Sequence, residues 1–233
     1  MKAFLLAAGL GSRLRPVTDR MPKCMVQIDD RPLLDIWLDK LDDAGVDEVT
    51  VNLHYLPDVV TAHLRGRVGG PAVRTFFEPR LLGSAGTLNA NRHWVDGEEM
   101  FLACYADNLT RFDLRVLVDA QRERHAIATL TTFHSEHPST GGVLALDADS
   151  RVIGFEEKPA RPVSDLVNAG MYAFRPDVLD EIGGNSPVDI GYHLLPQLVG
   201  RAFAVPVECY FRDIGTVEAY QRAREEWPAL ALR

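Results

Sequence analysis

The sequence predicts an α/β fold with a mainly parallel, mixed sheet and helices on both faces. Three observations predict it. Strand and helix signals alternate from residue 3 to residue 133, the rhythm of successive βαβ units. The first apolar run, residues 3–8, feeds directly into a glycine-rich turn, as a buried strand does ahead of a ligand-binding loop. A chain of 233 residues is long enough to bury a full core as one large α/β domain.

Each element has its own signal. Residues 32–44 place Leu33, Leu34, Trp37, Leu38 and Leu41 on one helical face, and Gly45 stops the helix. Residues 49–53 read as a short strand, and 57–64 as a helix ending near Gly66. The pattern repeats as strand 73–77, helix 85–91, strand 100–105, helix 114–124 and strand 126–133. After His134 the signals change. Residues 143–146 and 152–156 read as two strands across the turn Asp147-Ala148-Asp149-Ser150. Then come strand 167–174, helix 189–199 interrupted by Pro196, a strand over 204–211 broken by Pro206, and a closing helix 217–227. The whole is a Rossmann-like arrangement, with no internal repeat and no linker that would part independent domains.

Composition narrows the class. Hydrophobic residues make up 46% and charged residues 25%, ordinary values for a soluble globular protein. A formal net charge of −8 argues against nucleic acid as the main partner. Any phosphate site is therefore a local basic pocket in an acidic protein. Cys24, Cys104 and Cys209 are far apart, lack metal-ligand spacing, and read as reduced thiols of a cytoplasmic protein. Lys2 and the short apolar run after it end in Gly9–Ser12, Arg13 and Arg15, which is not a signal-peptide pattern. No segment is long and apolar enough to span a membrane.

The chemistry concentrates in residues 6–28. Ala8 leads into Gly9-Leu10-Gly11-Ser12, where missing Cβ atoms let backbone N–H groups approach an anion. Arg13 and Lys23 add cations, and Pro16 and Pro22 stiffen the loop between them. Amides that cradle oxygens, together with held positive charge, suit a polyphosphate. A dinucleotide fingerprint is the competing reading. Asp29 sits about where that pattern wants an acid, but Leu14 stands where it wants a third small residue.

Gly9, Gly11, Arg13, Leu14, Pro16, Thr18, Pro22 and Lys23 together resemble the signature of the sugar-1-phosphate nucleotidylyltransferases. The chain resembles the short, single-domain members, of the mannose- or heptose-1-phosphate guanylyltransferase kind, and also those acting on N-acetylmuramic acid 1-phosphate and some glucose-1-phosphate enzymes. It departs from their pattern at Cys24, where many members carry proline, and at Ala106, where glycine is usual.

The resemblance continues across nearly the whole chain and implies one nucleotidyltransferase domain over residues 1–233 with a small sugar-facing lid. It implies Arg13 and Lys23 as the catalytic cations. Ala8, Gly9, Gly11, Ser12, Glu78, Gly83 and Ser84 would bind a nucleoside triphosphate. Gly142, Glu157, Lys158, Asn168 and Gly170 would bind a sugar 1-phosphate. Asp107 and Asp213 would hold Mg2+. The loop Leu82-Gly83-Ser84-Ala85-Gly86 looks more like guanylyltransferases than thymidylyltransferases, which favours GTP. A metal-dependent glycosyltransferase, a dinucleotide-dependent oxidoreductase and a non-catalytic nucleotide-sugar sensor stay open as alternatives. Neither the sugar nor the oligomeric state is readable.

Some residues keep plainer readings. Ser84 suits a helix N-cap, Thr216 suits another, and Asp213 has Arg212 beside it as a partner. His134-Ser135-Glu136-His137 lacks the Pro-Cys-x-x-Cys of a zinc deaminase and reads as a solvated strand end. Asp147-Ala148-Asp149 falls in a hairpin turn, and no Gly-x-Ser-x-Gly nucleophile elbow occurs.

Overall fold

Strand β1 (Lys2–Leu6) lies at the centre of the main sheet, and its side chains alternate between two cores. Ala3 and Leu5 join one cluster, Phe4 and Leu6 the other, and all but Leu6 are fully buried. A strand covered on both faces needs an unbroken apolar run, which residues 3–8 supply. The computed structural model describes residues 1–184 and 187–230.

The first half continues with a small ribbon, β2 (Gln27–Ile28) and β3 (Arg31–Pro32), then α1 (Leu33–Asp43), β4 (Glu48–Leu53) and α2 (Pro57–Arg65). Next come β5 (Ala72–Phe77), α3 (Ser84–Ala90), β6 (Phe101–Tyr105), β7 (Asn108–Thr110) and α4 (Leu114–Arg124). The second half holds β8 (Ala128–His134), β9 (Gly142–Leu146), β10 (Val152–Glu157), β11 (Leu166–Phe174), β12 (Ala202–Pro206), β13 (Phe211–Asp213) and α5 (Val217–Leu230).

The main sheet runs β10-β9-β11-β6-β1-β4-β5, with β8 also on β11 and β12 on β8. Strands β6, β1, β4 and β5 are mutually parallel. β11 joins the halves, antiparallel to β6 on one side and to β8 and β9 on the other. The sheet is thus mixed, with its continuous parallel part in the first half. One core carries apolar faces of α1, α2, α4 and α5; the other carries α3 and residues 190–198. Helix α5 also braces the first loop: Tyr220 Oη donates to the Gln27 carbonyl at 2.9 Å, across 193 residues of sequence.

Two sequence expectations need correction. Residues 189–199 are not one α-helix but a π-turn over Ile190–Leu194 followed by a 3-10 turn over Leu195–Leu198. Pro196 has no N–H to continue an α-helical ladder. Residues 204–211 are not one strand either: β12 stops at Pro206 and β13 starts at Phe211. Among the described residues, no helix is long and apolar enough to cross a membrane.

Candidate active site

Because β1, β4, β5 and β6 are parallel, their carboxyl ends gather on one edge, where ligands bind in such sheets. The loop after β1 begins there. Its two glycines serve different ends. Gly11 has φ +62°, and a Cβ on it would lie 2.9 Å from Thr18 Cγ2, so the turn itself demands glycine. A Cβ on Gly9 would meet open space, so here the backbone faces the cleft with nothing of the protein against it. Thr18 Oγ1 donates to the Gly11 carbonyl at 2.7 Å, and fully buried Leu14 anchors the loop in the core. Leu14 thus fills the place where a dinucleotide site needs a small residue.

Lys23 is 8% exposed, and its ammonium lies 2.7 Å from Asp107 Oδ2 and 3.5 Å from Asp213 Oδ1. Asp107 follows β6, and Asp213 ends β13, which pairs antiparallel with β7 just beyond Asp107. That short ribbon brings together two carboxylates remote in sequence. Burial and the Asp107 charge raise the Asp213 pKa, while Lys23 and Arg13 oppose the rise. Arg13 is exposed, and Gly215 gives it room: a Cβ there would lie 3.1 Å from Arg13 Nη2 and 3.0 Å from Asp213 Oδ1. Arg212 does not pair with Asp213; it binds Glu226 at 2.8 Å.

Two cavities meet at this cluster. The first, about 250 Å³, is walled by Ala8, Gly9, Lys23, Glu78, Gly83 and Ser84 among others. The second, about 310 Å³, is walled by Gly142, Glu157, Lys158, Asn168, Gly170 and Asp213 among others. Asp107, Tyr105 and Asp189 line both. Gly11, Ser12 and Arg13 stand outside both walls, at the loop's turn and beyond.

The first cavity rests on a buried network. Glu78 is 1% exposed; its Oε1 accepts from Asn52 Nδ2 at 2.8 Å and Thr87 Oγ1 at 2.6 Å. Its Oε2 accepts from the Leu82 N–H at 3.0 Å, and Asn52 Oδ1 accepts from the Ala7 N–H at 2.7 Å. The loop 82–86 and the loop after β1 are thereby fixed to each other. Ser84 does not cap α3, whose N-cap is Gly83. Its hydroxyl donates instead to Asp189 Oδ2 at 2.9 Å and accepts from Tyr105 Oη and the Ile190 N–H. Thr216 does cap: its Oγ1 accepts from the Ala219 N–H at 3.2 Å. Burial pushes the Cys24 thiol up to about 12, so it stays neutral in the cavity wall.

In the second cavity Glu157 sits between two glycines. A Cβ on Gly191 would come within 2.4 Å of its Oε2, and one on Gly142 within 2.7 Å. Burial, with the nearby Asp189 charge, raises the Glu157 pKa, and Lys158 opposes that rise. Lys158 follows at φ +50°, a left-handed conformation that costs a non-glycine residue about 1–3 kcal/mol and collects at functional sites. Asn168 and Gly170 form a break in β11 pairing, where the Gly170 N–H donates to Asn168 Oδ1 at 3.0 Å.

Sequence reasoning missed Asp189, Tyr105, Asn52, Thr87 and Tyr192 in these walls. Asp189 carried a usable signal, an acid at the start of a helical segment. The others are strand or helix residues that only the fold brings together. His134 is an exposed strand end paired with Asp165, and Asp147 binds backbone N–H groups in its own turn, both as expected.

A parallel-sheet edge with a glycine loop, a held lysine and paired carboxylates defines the class of the fold and its site: an α/β protein with a ligand-sized cleft at the strand ends. Comparison with known proteins makes the class specific. The nucleotidyl transferase family matches residues 2–228, and the chain belongs to that family. It is 34% identical to a UTP–glucose-1-phosphate uridylyltransferase of Synechocystis, over 96% of this chain and 62% of the relative. It is 31% identical to mannose-1-phosphate guanyltransferase beta-B of Xenopus laevis, over 92% of this chain and 61% of the relative. The chain therefore spans about three fifths of these relatives' length. The crystal structure of HddC from Yersinia pseudotuberculosis complexed with GMP-PN has the same fold, with a TM-score of 0.80 and 24% identity. That match covers 97% of this chain and 99% of the other.

Proposed function

We propose that this protein is a sugar-1-phosphate nucleotidylyltransferase, joining a sugar 1-phosphate to a nucleoside triphosphate and releasing pyrophosphate. One observation carries the reading: Asp107, held by Lys23, is a common wall of both cavities. A triphosphate in the first cavity and a sugar 1-phosphate in the second meet there. The second pKa of a phosphate monoester is about 6, so the sugar phosphate is already a nucleophilic anion near neutral pH. Its oxygen attacks the α-phosphorus, the bond from that phosphorus to the β-phosphate's bridging oxygen breaks, and pyrophosphate leaves with the electron pair. No general base is required.

Positioning and charge stabilisation supply the catalysis. Lys23 holds the α-phosphate region, Arg13 offsets charge on the departing pyrophosphate, and Lys158 holds the incoming phosphate. Backbone from Ala8 through Gly9, Gly11 and Ser12 faces the triphosphate. Gly83 and Ser84 shape the base side, with Glu78 behind them. Glu157 takes sugar hydroxyls beside Gly142, Asn168 and Gly170.

Asp107 and Asp213 suit Mg2+: both are hard oxygen donors, and the Lys23 ammonium against them marks a place that takes positive charge. Mg2+ held there would neutralise charge on phosphate oxygens. We favour GTP, on the loop Leu82–Gly86 and on the guanyltransferase among the relatives. Purified protein incubated with each triphosphate, a panel of sugar 1-phosphates and Mg2+ tests the reading by pyrophosphate release. Release with GTP and a hexose 1-phosphate is expected. Release with no combination overturns the activity, and preference for another triphosphate overturns only the base.

A further inference from the structure

Residues 189–194 cross the wall of the second cavity, and no role assigned above accounts for their shape. Ile190 and Leu194 are fully buried. Tyr192 turns the opposite way, 53% exposed and lining the cavity. A lone exposed aromatic on an ordinary surface needs no explanation. This one differs in how its backbone is held. The turn is a π-turn, an insertion frequent at functional sites. Asp189 Oδ1 accepts from the N–H groups of Gly191 at 2.9 Å and Tyr192 at 3.4 Å. Asp189 Oδ2 is fixed by Ser84, itself bound by Tyr105 and Ile190. The ring therefore projects from a braced turn. Lys158 Nζ lies 5.8 Å from its centroid, and Glu157 packs against Gly191 just behind. An apolar ring face beside a carboxylate acceptor and an ammonium matches a ligand with an apolar C–H face, a hydroxyl edge and a phosphate.

We propose that Tyr192 is the platform on which the pyranose ring of the sugar 1-phosphate lies, with Asp189 as the positioning residue that sets the platform's angle. The proposal rests on the reading of the second cavity as the sugar-phosphate site. It specifies the ligand class: a pyranosyl phosphate presenting a C–H face to Tyr192, hydroxyls to Glu157 and phosphate to Lys158.

The rival role for Tyr192 is to anchor Lys158 by cation–π attraction alone. Kinetics with two probes separate the roles. Tyr192→Ala should raise the sugar 1-phosphate KM about tenfold, leaving the triphosphate KM and kcat within about twofold. Inhibition by inorganic phosphate, which has no ring to stack, should be unchanged. Tyr192→Phe should behave as the parent, and Tyr192→Leu, the fallback if the alanine variant folds poorly, should lose about threefold. If phosphate inhibition weakens together with the sugar KM, Tyr192 only anchors Lys158 and the platform is refuted. An unchanged sugar KM refutes it as well. Asp189→Ala should raise the sugar KM in the parent and much less in the Tyr192→Ala background, where only its charge near Glu157 is still lost; fully additive losses would overturn its positioning role. Calorimetric titration with the sugar 1-phosphates keeps the two readings separable. A parent that binds them but releases no pyrophosphate sinks the activity, and the same variants still decide the platform; a parent that binds none sinks both.

Discussion

The two cavities share a wall but are built by different means. The first is set by the parallel half of the sheet, and its polar residues are core residues: Glu78, Asn52 and Thr87 are 1%, 4% and 1% exposed and bind one another. The second is set by the β9–β10 hairpin, the break in β11 and the π-turn, and its charged residues are exposed or half-buried. The difference separates two kinds of constraint. Changes in the first cavity strike folding and ligand together. Changes in the second alter the ligand while the fold stands. Under the proposed function, such a scaffold keeps its triphosphate end and varies its sugar end at little cost in stability.

The largest expected effect cuts across this contrast. Arg13 belongs to the first half in sequence, yet it is exposed and lies near Asp213. Arg13→Ala should lower kcat by about 10²–10³-fold, as loss of a transition-state charge partner does. Its stability should change by no more than about 0.5 kcal/mol. Steady-state kinetics and thermal melts on one preparation check both, and near-parental turnover would remove Arg13 from the mechanism. Asp107→Asn and Asp213→Asn should likewise cut turnover strongly, with partial recovery as Mg2+ is raised.

A paired comparison tests the contrast directly. Glu78→Ala removes the shared acceptor of Asn52 Nδ2, Thr87 Oγ1 and the Leu82 N–H and empties a buried site, and should cost about 2–4 kcal/mol. At roughly 2–4 °C per kcal/mol for a chain of this size, Tm should fall by about 5–15 °C. Lys158→Ala should leave Tm within about 2 °C while raising the sugar 1-phosphate KM about tenfold or more. A stable Glu78→Ala protein, or an unstable Lys158→Ala one, breaks the contrast.

Smaller effects sharpen it. Gly191→Ala puts a Cβ 2.4 Å from Glu157 Oε2, the end of a flexible side chain that can swing aside. The expected result is a sugar KM raised about three- to tenfold with Tm lowered by only a few degrees. The smallest effect is on stability against pH. Burial raises the Glu157 pKa above its ordinary 4.5, so the folded protein holds this proton more tightly than the unfolded chain. Its contribution to stability is greatest below pH 4.5 and declines as pH rises through the folded pKa. Tm measured across this range should show that decline in the parent and less of it in Glu157→Gln.

Much of this was legible in the sequence, for physical reasons that differ by region. β1 and the loop after it were readable because a doubly covered strand must be apolar throughout and a turn at φ +62° must be glycine. Helix 32–44 was readable from its apolar stripe. Residues 189–199 were not, because a π-turn and an α-helix bury the same spacing of Ile190, Leu194 and Leu198. The plainer reading of Ser84 as a cap fails because its partner, Asp189, lies 105 residues away. Tyr192 gave no signal, since one exposed aromatic in a helical segment is ordinary until a cavity is found beneath it.

The brace between Tyr220 and Gln27 bears on synthesis. The glycine loop leaves a ribosome well before the helix that braces the ribbon beside it. At about 5–20 residues per second, the 193 positions between them correspond to roughly 10–40 s of translation. During that interval the nascent chain carries the loop's glycines and cations without their backing. The Gln27 carbonyl gains this partner only when α5 docks, so the ribbon beyond the glycine loop is the part of the first half that waits longest for its support.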